Sequence, residues 1–227
     1  MDNITDRPRF PRSSRAPCSQ TPHPCGDIHE FFERIGTSTV QWHSGEDQQL
    51  TYREVLRTGL ERVLQVCSES GRAETSCFVD LGSGRGHLVA AMHLMTGCHA
   101  IGVECNHRHN QSWSLVQSTM TQMGGSPARV SQCWSTLQDC LSGLVVLNPW
   151  RIPADLMMCC NTRFRREDNL AALLLFNDCA APDGVLVVLD SLGCLIRELQ
   201  LPICLWRQEA LLPGHVGWNP SRNTTEF

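Results

Sequence analysis

Apolar positions along this chain alternate between helix-period and strand-type runs. Tyr52, Val55, Leu56, Leu60, Val63, Leu64 and Val66 recur every three or four residues, which predicts a helix opened by Thr51 and running to residue 67. A shorter helix is expected over 27–35. Cys77-Phe78-Val79-Asp80-Leu81 is a compact apolar run around one acid, the pattern of a short buried strand. Helical spacing returns over 85–95, Ala100-Ile101-Gly102-Val103 reads as a second strand, and a helix over 108–123 is stopped by Gly124-Gly125. Residues 128–132 suit a third strand. Two apolar runs compete for the fourth: Leu144-Val145-Val146-Leu147 and Leu156-Met157-Met158-Cys159-Cys160. Residues 169–176 form an apolar helix, Pro182-Asp183-Gly184 a turn, and Val185 to Leu189 a fifth strand. Ile203 to Arg207 and His215 to Trp218 are expected to pair as an antiparallel hairpin around Pro213-Gly214. Strands alternating with helices imply a doubly wound α/β sheet.

Composition narrows the picture. The chain has 227 residues and a net charge of −4, enough for one α/β domain and too acidic for a broadly basic nucleic-acid binder. Residues 1–26 hold Arg7, Arg9, Arg12 and Arg15 among Pro, Ser and Thr, and read as a flexible basic tail able to touch DNA; residues 27–227 are expected to form the folded domain. No lysine occurs, so no lysine acts as a base. Thirteen cysteines at irregular spacings, with no Cys-x-x-Cys, suggest reduced thiols used as small core residues. Cys98, Cys105, His107 and His109 match no zinc spacing, and no metal is expected. No apolar run suggests a membrane span, and a monomer is expected.

The chemistry lies in the first strand–helix unit. Asp80 leads directly into Gly82-Ser83-Gly84-Arg85-Gly86. Glycine is needed where backbone passes close to a ligand, and in open α/β sheets ligands sit beyond the carboxyl ends of the strands. Dinucleotide folds use a similar glycine string. Two features separate this one. The acid precedes the glycines, where a carboxylate favours the cationic ammonium of S-adenosylmethionine. Glu104 ends the second strand, placed for both ribose hydroxyls.

The string from Phe78 to His87, with Gly102-Val103-Glu104, resembles the disruptor-of-telomeric-silencing family of non-SET histone H3 lysine methyltransferases, most of all its compact trypanosomatid members. His87 stands where that family has glutamine. Ser44-Gly45-Glu46 resembles the family's Tyr-Gly-Glu loop, and residues 158–164 a divergent Asn-Asn-Phe-x-Phe segment keeping Asn161 and Phe164. Gly214 to Trp218 resembles its Gly-Ser-Val-Ser-Trp segment. Gly143-Leu144-Val145 lies where the adenine-binding Gly-Asp-Phe is sought, and Thr225 where a tyrosine is. A competing resemblance is Asn148-Pro149-Trp150, which looks like the Asn-Pro-Pro-aromatic motif of amino-group methyltransferases. Spacing to the fifth strand favours Asn161.

The resemblance implies a seven-stranded Rossmann-like class I methyltransferase sheet and transfer of methyl from S-adenosylmethionine to a lysine in the core of nucleosomal histone H3, in the nucleus. It implies Asp80, Gly82, Ser83, Gly84, Gly86, His87, Glu104, Gly45 and Glu46 as the cofactor site. It also implies Asn161, Phe164 and Trp218 as the catalytic side, with the aromatic pair lining an apolar lysine channel. Nucleosome contact through the N-terminal arginines, or Arg163, Arg165 and Arg166, is expected.

Overall fold

The computed structural model describes residues 27–35, 57–69, 75–204, 207–210 and 224–226. Five parallel strands form its centre: β1 (Cys77–Leu81), β2 (His99–Glu104), β3 (Val130–Trp134), β4 (Ala154–Cys159) and β5 (Ala180–Val188). The sheet order is β3-β2-β1-β4-β5, continued by two three-residue antiparallel strands, β7 (Thr224–Glu226) and then β6 (Gln208–Ala210). The switch in strand order falls between β1 and β4, so the crevice opens at the carboxyl end of β1.

Two cores follow from the period-2 alternation of the strands. One face carries Phe78, Ala100, Val130, Leu156, Met158, Val185 and Val187. It is covered by α1 (Ile28–Arg34), α2 (Arg57–Glu69), α3 (His87–Thr96) and α4 (Asn110–Gln122). The other face carries Val79, Ile101, Val103, Met157, Leu186 and Val188 under α5 (Leu137–Ser142), α6 (Arg166–Cys179) and α7 (Gly193–Leu199). Asp27 caps α1 by accepting from the His29 amide at 2.9 Å. The apolar stripe of the second helix is present as Leu60, Val63 and Val66; its expected start at Thr51 lies outside the described residues.

Several expectations change. The fourth strand is the second apolar run, because Leu156, Met157 and Met158 are buried while Leu144 is 78% and Val146 70% exposed. Pro182-Asp183-Gly184 is not a free turn. It lies within β5, where pairing shifts from Ala154↔Ala180 to Leu156↔Val185, a bulge that absorbs the proline. The expected hairpin is not found in its place: Ile203 and Cys204 carry no strand, and 215–218 lie outside the described residues. The antiparallel strands are instead 208–210 and 224–226, and Pro213-Gly214 lies outside the described residues. The parallel sheet therefore has five strands, and among the described residues Val188↔Glu226 joins it to the antiparallel pair.

Among the described residues no helix is long and apolar enough to cross a membrane, and the cysteines are free thiols. Leu156→Ala is expected to cost about 3 kcal/mol and Leu144→Ala less than about 0.5 kcal/mol. Urea unfolding of the two variants checks this, and equal losses would reverse the assignment of the fourth strand.

Candidate functional site

Cofactor-type chemistry is concentrated at the carboxyl ends of β1, β2 and β3, on the face covered by α3 and α4. Parallel register sets Asp80, Gly102 and Gln132 in one row across the three strands, and Glu104 beside Trp134 two residues further on. The glycine loop folds over this row. Gly82 and Ser83 both donate to the Val103 carbonyl, at 2.8 and 2.9 Å, and Gly86 donates back to Ser83 at 2.9 Å. Gly82, Gly84 and Gly86 take φ of 84°, 55° and 78°. A Cβ on Gly86 would sit 2.4 Å from the Trp113 ring, and one on Gly82 2.8 Å from the Phe164 ring. Close approach as well as positive φ therefore demands glycine at both positions.

Glu104 holds the loop from the neighbouring strand. Its Oε2 accepts from the Gly84 amide at 2.8 Å, and its Oε1 accepts from the Asn106 amide at 2.7 Å. A carboxylate has about four acceptor positions, so capacity remains for a diol. Asp80 is buried, and its Oδ1 has no hydrogen-bond partner. Burial first, and the Glu104 charge second, push its carboxyl from an ordinary 3.8 up to about 7. Cys159 and Cys160, at the end of β4, are held well above the usual thiol range by burial and by the Asp80 charge. They are neutral thiols and poor nucleophiles.

Asn161 is placed beside this crevice with every polar position of its side chain engaged. Its Nδ2 donates to Asn169 Oδ1 at 3.0 Å and to the Asp190 carbonyl at 2.9 Å. Its Oδ1 accepts from the Leu189 and Asp190 amides at 3.0 and 2.8 Å. The side chain thus fastens the turn leaving β4 to the end of β5 and to α6. That turn continues through Phe164, whose amide donates to the Asn161 carbonyl at 3.0 Å and whose ring lies over Gly82. Arg163 and Arg165 are exposed on either side of Phe164; Arg165 lies 3.8 Å from Glu167, and Arg166 pairs with Glu198 of α7.

Asn148 lies at the opposite end of the sheet. Its Nδ2 reaches the Ile152 carbonyl and Cys77 Sγ, at the amino end of β1, and Trp150 packs on His99 at the amino end of β2 with ring centroids 4.6 Å apart. The competing Asn-Pro-aromatic reading is excluded by this placement, since ligands sit beyond the carboxyl ends. Cys98 and Cys105 likewise flank opposite ends of β2, roughly 20 Å apart at strand rise, so they share no metal. Among the described residues no group of His, Cys, Asp or Glu is placed to hold one.

His87, the first residue of α3, is buried with its ring edge-to-face to Phe32 of α1 at 6.1 Å. Gly45, Glu46 and Trp218 lie outside the described residues. Gly143-Leu144-Val145 provides no adenine wall: Gly143 ends α5, and Leu144 points to solvent. The residue that sequence reading passed over is Trp134. It is half-buried at the carboxyl end of β3, level with Glu104, and stacks on His107 with centroids 6.0 Å apart and an interplanar angle of 29°. Ending the third strand two residues later would have revealed it as an aromatic beside the Glu104 carboxylate.

Residues 45–123 match the family model described as histone methylation protein DOT1. An O-methyltransferase from Bacillus cereus in complex with SAH is similar in structure, with a TM-score of 0.50, 13% identity, and coverage of 75% of this chain and 67% of that one. An RNA methyltransferase from Salinibacter ruber in complex with S-adenosyl-L-homocysteine gives a TM-score of 0.49 and 15% identity, over 76% of this chain and 90% of that one. At 13% identity the likeness to the Bacillus cereus structure shows the fold alone, the α/β Rossmann-like methyltransferase fold. No curated protein matches the chain significantly.

Asp80 generates a pH dependence of stability with a defined sign. The folded chain keeps this proton up to about pH 7, whereas the unfolded chain loses it near 3.8. Stability of the cofactor-free protein should therefore fall as pH rises from about 4 to about 7, by at most about 4 kcal/mol from this group. Asp80→Asn removes the term. Urea unfolding of both proteins across that range should show the variant gaining on the parent as pH rises, and parallel curves would refute the assignment.

Proposed function

We propose that this chain is a histone-lysine N-methyltransferase that transfers methyl from S-adenosylmethionine to a lysine in the globular core of histone H3 within nucleosomes. The observation that carries the reading is the Glu104 carboxylate, which holds the glycine loop while keeping acceptor capacity beyond it. The residues fit the cofactor. Asp80 offers a buried oxygen without a partner to a cationic group. The glycine loop has the close approach that a side chain would block. Trp134 supplies a flat apolar surface beside Glu104 for adenine. Glu46 and Gly45 close the methionine end.

When bound, S-adenosylmethionine supplies an electrophilic methyl group. The chain's own residues then position and desolvate. A lysine ammonium must lose a proton before it attacks, and an apolar channel disfavours the charged form. Phe164 and Trp218 line that channel. Asn161 acts on it by fixing the turn that carries Phe164, because its own hydrogen-bonding positions are taken. The neutral thiol of Cys160, partly buried at the end of β4, adds an uncharged group there.

The folded domain is residues 27–227, acting as a monomer in the nucleus. Arg163 and Arg165 project beside Phe164 at the mouth of the crevice, a position suited to an anionic nucleosome surface, with the arginines of the 1–26 tail adding contacts to DNA. The match of residues 45–123 to a histone methylation family supports the substrate class.

Labelled S-adenosylmethionine incubated with the protein and reconstituted nucleosomes should place label on histone H3, located by mass spectrometry. Label found only on RNA or on a small molecule would overturn the substrate. Glu104→Ala should weaken cofactor binding by about 10-fold or more, the loss of about two hydrogen bonds to a charged group. Calorimetry measures it, and undiminished affinity would overturn the cofactor site.

A further inference from the structure

We propose that Gln132 is a positioning residue for the cofactor loop, acting through Ser83. The inference rests on the cofactor reading above and adds a residue to it. Of the five loop residues, only Ser83 and Arg85 carry side chains by which the loop is held. Ser83 is buried, and its Oγ accepts a hydrogen bond from Gln132 Nε2 at 2.6 Å, across 49 residues of chain.

The sheet is shaped to admit this contact. Gln132 is in register with Gly102, the middle of β2. A Cβ on Gly102 would lie 2.1 Å from Gln132 Oε1 and 2.6 Å from Ser83 Oγ, and one on Gly86 would lie 3.2 Å from the same Oε1. Gly102 is not among the residues with positive φ, so its backbone does not require glycine. What requires it is the space taken by the Gln132 amide and the Ser83 hydroxyl. An apolar side chain at 132 would fill that space at no polar cost. Glutamine leaves Oε1 buried without a partner, which is unfavourable by itself. The contact that offsets this is the one to Ser83, and Ser83 lies between the two glycines that shape the cradle. Gln132 also stands two residues before Trp134 on the same face of β3, so one strand sets both the loop and its aromatic wall.

The test is a double-mutant cycle on the full chain, reading S-adenosylhomocysteine affinity by calorimetry and stability by urea unfolding. Gln132→Met keeps the side-chain length and removes both polar groups; Ser83→Ala removes the partner. Each single variant should weaken S-adenosylhomocysteine by about 5- to 10-fold, and the double variant by the same 5- to 10-fold, because one bond is lost in all three. The double variant should unfold at the parent's urea midpoint. Unchanged affinity in Gln132→Met, losses that multiply to about 25- to 100-fold in the double variant, or losses that track falling stability would each overturn the proposal. A parent chain that binds no S-adenosylhomocysteine would overturn the cofactor reading itself, and this inference with it.

Discussion

A single carboxylate at the carboxyl end of β2 accepts from two chain segments that flank the crevice. One is the Gly84 amide, at the centre of a loop with left-handed backbone at three positions. The other is the Asn106 amide, which starts the turn leading to α4. Without that carboxylate the Gly84 amide of the loop and the Asn106 amide of the turn are each left without their acceptor. The same loop is also held by the Val103 carbonyl, which accepts from Gly82 and Ser83, by Gln132 through the Ser83 hydroxyl, and by the Phe164 ring over Gly82.

Asp80 stands in tension with this arrangement. Its burial raises its pKa, and the charge of Glu104 raises it further. A negative pair in one crevice is unfavourable to the empty fold and favourable to a cation placed between loop and strand. The cofactor-binding end thus carries an electrostatic cost in the apoprotein that a positively charged ligand relieves. Functional sites store such costs while the rest of the domain, here two well-filled cores, supplies the stability.

The sequence was most legible where local signals were dense. Asp80, the glycines and Glu104 lie within 25 residues, and β1 and β2 fall where their apolar runs predict, because a buried parallel strand leaves a clear unbroken signature. Legibility failed where tertiary context decides. The runs at 144–147 and 156–160 are both apolar, and only the fold shows that the second pairs in the sheet while Leu144 and Val146 of the first are exposed. Pro182-Asp183-Gly184 has turn chemistry but is absorbed as a bulge within β5. Trp134 was missed because strand ends are poorly marked, and two residues decided whether it joined the sheet. Asn161 stands out in the sequence, but a sequence does not show that an amide's donors and acceptors are already spent on groups of its own chain.

Gly102 carries a consequence for how this chain varies among its relatives. Its glycine is required by a neighbour's side chain rather than by its own backbone. Positions 102 and 132 are thus one steric unit, and substitution at either is conditional on the other. A long residue at 132 forbids a Cβ at 102, while a glycine or alanine at 132 removes that clash and leaves only the Ser83 hydroxyl to give way. In an alignment the two columns should covary, and Gly102 should look invariant only in the branch that keeps a long side chain across from it.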